Sequence, residues 1–231
     1  MKIINSLLSA AVLLAVTSAV HATPIVLDFE GIAPHPSANT TLVEDFYNGG
    51  TSSNGSSGTD FGIEFSDNAL AVCLNTLSVS CSNTSRGGEG DPNSQLFGLF
   101  FLSGNETFMN VDAGFDTGFS FFYSAINQAG SVSVFDGLNG TGSLLTTVDL
   151  TTTTTGSGCG SYNAGFCTFD AFGVGFAGTA RSVSFAGVAN QIVFDDITFG
   201  SVNPGQPVDV PEPAGLALLG LGLIGLARRK A

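Results

Sequence analysis

The 231 residues contain no tryptophan, two histidines and only six lysines or arginines, against nineteen aspartates and glutamates. Each shortage removes a class of function. Nucleic acid needs clustered cations to displace its counterions, yet between Thr23 and Val210 only Arg86 and Arg181 stand against eighteen acids, a net of −16. Such a body repels a phosphate backbone, and no nucleic-acid partner is expected. Serine- or cysteine-based hydrolysis needs an imidazole to move the proton. Beyond residue 22 the only one is His35, held between Pro34 and Pro36 in an evident loop, so that chemistry is not expected either. The lack of tryptophan, with tyrosine confined to Tyr47, Tyr123 and Tyr162, thins the amphipathic rings on which sugars stack. No part of the body shows a sustained helical period.

What is present begins with a lone cation at Lys2, an apolar stretch from Leu7 to Val16, then Val20-His21-Ala22 before the composition changes at Thr23. This is the layout of a secretory signal peptide over residues 1–22, cleaved after Ala22. Export leads to an oxidising compartment, where four cysteines default to disulfides. Cys73 and Cys81, and Cys159 and Cys167, enclose short intervals rich in turn formers. Of the three connectivities four cysteines allow, the spacing favours Cys73 with Cys81 and Cys159 with Cys167. Zinc competes less well, because its sites prefer closer cysteine pairs and the exported chain offers one imidazole.

Apolar residues recur with a period of two, as in Ser131-Val132-Ser133-Val134-Phe135 and Ser182-Val183-Ser184-Phe185, which marks half-buried strands. Strands are expected over 25–29, 62–65, 70–74, 95–101, 106–111, 118–123, 131–136, 144–150, 168–172, 181–186 and 191–199. Gly, Asn, Ser and Asp clusters such as Asn54-Gly55-Ser56-Ser57-Gly58 and Asn139-Gly140 supply the turns between them. Many short strands so punctuated predict an all-β domain over 23–200, an antiparallel two-sheet β-sandwich of jelly-roll type. The phenylalanines are expected to fill the space between the sheets. Residues 201–209 lack periodicity and read as a linker.

The linker delivers Val210-Pro211-Glu212-Pro213, an uncharged run rich in Leu and Gly from Ala214 to Ala227, and then Arg228-Arg229-Lys230. The apolar run can enter a bilayer while the basic cluster stays on the cytoplasmic side. It is shorter than the roughly twenty residues that span a hydrocarbon core, which suits a temporary inner-membrane anchor. In these residues the chain resembles the PEP-CTERM sorting-tail family of Gram-negative bacteria. The resemblance implies recognition at Pro211, Glu212 and Pro213, cleavage near them by an exosortase, and a secreted or cell-surface product in organisms that make exopolysaccharide. Such tails are attached to many unrelated bodies, so function must be argued from the body.

Two segments stand out there: Leu27-Asp28-Phe29-Glu30-Gly31 in the first expected strand and Val193-Phe194-Asp195-Asp196-Ile197 in the last. Terminal strands of jelly rolls commonly lie side by side, which would gather Asp28, Glu30, Asp195 and Asp196. Four carboxylates there would repel unless a hard cation lay between them, and calcium prefers several oxygens in a flexible shell. The two segments are also similar to the terminal strands of sandwich-type carbohydrate-binding modules. That resemblance implies a structural calcium held mainly by Glu30 and Asp195, with Asp28 and Asp196 as lesser ligands. Loops 45–60 and 86–93 carry side chains able to bond sugar hydroxyls, though such loops are more often only turns. The expected function is a non-enzymatic extracellular body engaging polysaccharide or matrix proteins. The alternative is a carboxylate-dependent glycan hydrolase drawing on acids such as Glu44, Glu64, Glu89 and Glu106.

Overall fold

The computed structural model describes residues 25–37, 39–75, 81, 93–116, 118–153 and 165–205. The expected signal peptide, the sorting tail with Pro211, Glu212, Pro213, Arg228, Arg229 and Lys230, and Cys159 lie outside the described residues.

The alternating runs form β1 (Val26–Leu27), β2 (Thr41–Leu42), β3 (Ile63–Phe65), β4 (Leu70–Cys73), β5 (Phe97–Phe100), β6 (Glu106–Phe115) and β7 (Phe119–Ala125). They continue as β8 (Gly130–Phe135), β9 (Leu144–Leu150), β10 (Asp170–Val174), β11 (Ala180–Ala186) and β12 (Ile192–Phe199). Among the described residues the only helical turn is a 3-10 turn at Leu138–Gly140. One sheet has the order β10-β7-β12-β5-β4-β2, with β1 also paired to β12; the other has the order β3-β6-β11-β8-β9. Every pairing is antiparallel. The architecture is therefore an all-β sandwich.

Phenylalanine joins the two layers. Phe185 of β11 meets Phe194 of β12 with ring centroids 4.8 Å apart, and Phe115 of β6 meets Phe199 of β12 edge-on at 4.8 Å. Aromatic pairs at such distances add to area burial. The strands β7 and β12 are buried along their whole length, which simple alternation does not anticipate. Val193, whose parity points it away from the main core, packs with Val72, Leu74, Phe100, Ile126 and Phe166 in a second apolar cluster on the outer face.

Other differences have local causes. The first strand stops at Leu27 because Phe29 adopts a left-handed backbone, with φ of 55°. Residues 201–205, read as the start of a linker, pack on the sandwich instead. Pro204 is buried, and the Gly205 N–H donates to Thr198 Oγ1 at 2.9 Å. The expected Cys73–Cys81 disulfide is present. Cys167 is also disulfide-bonded, and its expected partner Cys159 is outside the described residues.

Candidate functional site at the junction of first and last strands

The first strand lies beside the last, with Val26 opposite Thr198 and Leu27 opposite Ile197. The sequence of β12 explains what happens there. Ile192 and Phe194 belong to the main core, and so do Ile197 and Phe199. Between Phe194 and Ile197 the spacing is three, not two, so one extra residue must be absorbed. The ladder to β7 accordingly shifts register between Asp195 and Thr198, and Asp196 takes a left-handed backbone with φ of 45°. This is a β-bulge, a device that re-aims side chains near strand ends.

The junction thus brings Asp28, Glu30, Asp195 and Asp196 to neighbouring backbone, and each carboxylate meets hydrogen-bond donors. Glu30 Oε1 accepts the Leu96 N–H at 2.8 Å, tying the end of the first strand to the start of β5. Asp28 Oδ1 accepts the Glu30 N–H at 3.1 Å. Asp195, fully buried, accepts the Asp196 N–H through Oδ1 at 2.8 Å. Asp196 turns the other way, accepting from Asn93 Nδ2 at 2.9 Å and Ser94 Oγ at 3.1 Å. Gly205 closes over this pair, and a Cβ there would collide with Asn93 Nδ2 and Asp196 Oδ2. Asp196 is thereby directed to the segment that precedes β5 and to the chain beyond β12.

Asp28 and Glu30 line a cleft of about 490 Å³. Its other walls include Tyr47, Phe61, Ser57 and Thr59. The rings of Tyr47 and Phe61 are nearly parallel, 25° apart with centroids at 6.2 Å. Phe61 is half-buried and Tyr47 buried. The loop carrying Ser57 and Thr59 approaches closely because Gly58 lacks a Cβ, which would press on the backbone and ring of Phe46.

Tyr47 organises the inner wall. Its hydroxyl oxygen accepts the buried Phe29 N–H at 2.7 Å, satisfying a backbone donor that the left-handed turn at Phe29 removes from the sheet. Burial pushes the Tyr47 hydroxyl well above its ordinary range, and the negative charges of Asp28, Asp195 and Glu30 push it further. It is therefore a neutral donor at physiological pH. Burial also raises the pKa of Glu30, opposed by the Leu96 N–H and reinforced by the Asp28 charge.

Among the described residues, the only trio of metal-type side chains with donor atoms within 4.8 Å of one another is His35, Cys73 and Cys81. Both of those sulfurs are joined in the disulfide. His35 is occupied structurally, with Nε2 donating to the Leu74 carbonyl at 2.9 Å and its ring edge-on to Phe97. The four acids are neighbours along the backbone but do not assemble a three-carboxylate shell.

The chain carries a PEP-CTERM sorting motif. Residues 209–231 match the PEP-CTERM protein-sorting motif, the segment that the Pro-Glu-Pro signature and basic terminus single out. A PEP-CTERM tail supports an exosortase substrate, an exported protein directed to the cell surface. No curated protein matches the chain significantly, so the body's role rests on its own geometry.

The acids named as candidate hydrolase residues do not gather around the cleft. Glu64 on β3 accepts from Asn48 Nδ2, Glu106 on β6 accepts from Ser184 Oγ, and Glu44 is exposed in a left-handed turn. Glu89 lies outside the described residues. Sequence reasoning missed Tyr47 and Phe61 as parts of the site. Their signal was the aromatic spacing Phe46-Tyr47 and Phe61 at the two ends of a Gly/Asn/Ser loop.

Proposed function

We propose that the body is a non-enzymatic binding module of the cell surface or extracellular matrix, whose cleft engages polysaccharide. One observation carries this reading: two carboxylates, a buried phenol, two hydroxyl side chains and a half-buried phenylalanine ring line one cavity. Rings offer apolar surface to the C–H face of a sugar, and carboxylates accept its hydroxyls. Sorting through a PEP-CTERM tail delivers such a cleft to the place where polysaccharide is abundant. The test is a glycan array run beside a reducing-end assay on the organism's own exopolysaccharide. Binding without new reducing ends supports the reading, and turnover replaces it.

A second reading, carboxylate-dependent glycan hydrolysis, is favoured by Glu30. A partly buried acid with raised proton affinity next to another carboxylate is the arrangement of a proton donor. Turnover lost in Glu30→Gln would decide for it.

A structural calcium ion belongs to the same proposal, with Glu30 and Asp195 as its principal carboxylate ligands. Its support is the charge at the junction. Arg181, on the other sheet, is the only lysine or arginine among the described residues.

A further inference from the structure

The cleft also has a charge preference, and the inference rests on the polysaccharide reading above. We propose that its ligand is an amino sugar bearing a free ammonium group, with Asp28 as the main acceptor, Glu30 beside it and Phe61 under the sugar ring.

Asp28 is half-buried in the cleft wall, and its Oδ1 is spent on the Glu30 N–H. The second oxygen remains to receive a donor from the ligand. An ammonium bound there gains a charge-assisted hydrogen bond, roughly twice as strong as a neutral one. Asp28 and Glu30 both line the cleft, so a cation entering it is attracted by two carboxylates, whereas an anion is repelled by them. Tyr47 supplies the opposite polarity. Its oxygen accepts from Phe29, and among the described residues no acceptor takes its own proton. A sugar hydroxyl or ring oxygen can accept that proton while the ammonium meets Asp28. At longer range, the net of −16 between Thr23 and Val210 steers cationic polymers toward the protein and polyuronates away. Of the glycans a matrix offers, polymers of deacetylated hexosamine combine the apolar face, the hydroxyls and the positive charge.

The experiment is calorimetry of the secreted protein in weakly acidic, chelator-containing buffer with four probes: a glucosamine pentamer, its N-acetylated counterpart, an oligouronate and a pentalysine peptide. The glucosamine pentamer should bind best, with affinity that falls as salt rises. Asp28→Asn keeps an oxygen for the Glu30 N–H and so leaves the fold intact. It should weaken the glucosamine pentamer by roughly tenfold while leaving the melting temperature unchanged. Equal or tighter binding of the N-acetylated pentamer or the oligouronate overturns the charge preference but leaves the polysaccharide reading standing. Pentalysine binding as tightly as the sugar overturns the amino-sugar assignment. Failure of every glycan to bind sinks both readings together. Retained glucosamine affinity in Asp28→Asn overturns the placement of the ammonium.

Discussion

Glu30 Oε1 accepts the Leu96 N–H at 2.8 Å, so a side chain just beyond the first strand reaches across the bulge of the last strand and holds β5. The same carboxylate is half-buried and raised in pKa by that burial, with Leu96 opposing and Asp28 reinforcing the shift. A folded-state pKa above the unfolded value of about 4.3 means that the folded form takes up a proton first. Stability from this group is therefore fully present below the unfolded pKa and is lost as pH rises through the folded one.

Glu30→Gln keeps an acceptor oxygen and cannot ionise. In chelator, its stability relative to wild type should be greatest near neutral pH and should decline as pH falls below the raised pKa. Urea midpoints at neutral and acidic pH read this directly. A wild-type advantage that grows toward neutral pH would show that the Leu96 bond to the ionised carboxylate outweighs its desolvation.

Tyr47→Phe removes the acceptor for the buried Phe29 N–H. Leaving that donor unsatisfied should cost about 1–3 kcal/mol at neutral pH. Because burial, with Asp28 second, holds the phenol well above its ordinary pKa, wild type should lose stability as pH rises beyond about 10, where the unfolded tyrosine ionises first. The variant should lack that alkaline loss. Denaturant titrations across the alkaline range would show it.

Most of the architecture was legible in the sequence because alternation of period two is a direct image of a sheet with one buried face. Ser131 to Phe135 and Ser182 to Phe185 became β8 and β11 nearly residue for residue. The bulge between Asp195 and Thr198 was not legible in the sequence, which predicts one unbroken strand over residues 191–199. Pro204 and Gly205 pack beside Asp196, a tertiary contact that no local pattern encodes. The cleft was least visible, since Asp28, Tyr47 and Phe61 come together through tertiary hydrogen bonds, from the Phe61 N–H to the Tyr47 carbonyl and from the Phe29 N–H to the Tyr47 hydroxyl. Asp28, Glu30, Asp195 and Asp196 lie on neighbouring backbone at the junction of β1 and β12. The sequence does not show that Asp196 turns to Asn93 and Ser94.

The folded boundary should follow the packing of residues 201–205. A fragment of residues 23–208 should be more stable than one ending at Gly200 by at least ~1 kcal/mol, since the shorter one loses the Gly205 to Thr198 bond and uncovers Asp196. Equal melting temperatures would assign residues 201–205 to the linker after all.

Calcium bound by Glu30 and Asp195 in the folded state alone would stabilise it by mass action, about 2.7 kcal/mol at a hundredfold excess over the dissociation constant. Chelator should lower the melting temperature of wild type. Asp195→Asn should abolish most of that response. An unchanged wild-type melting temperature, with no calorimetric heat on adding calcium, would remove the ion from the account.

The cleft itself is tested most directly by the secreted protein and its Phe61→Ala variant, each incubated with the organism's own exopolysaccharide while bound polymer and new reducing ends are measured together. Wild type should bind saturably with no rise in reducing ends, and affinity should fall roughly fivefold or more when the ring is removed. Release of reducing ends, or binding that Phe61→Ala leaves unchanged, would contradict this binding role.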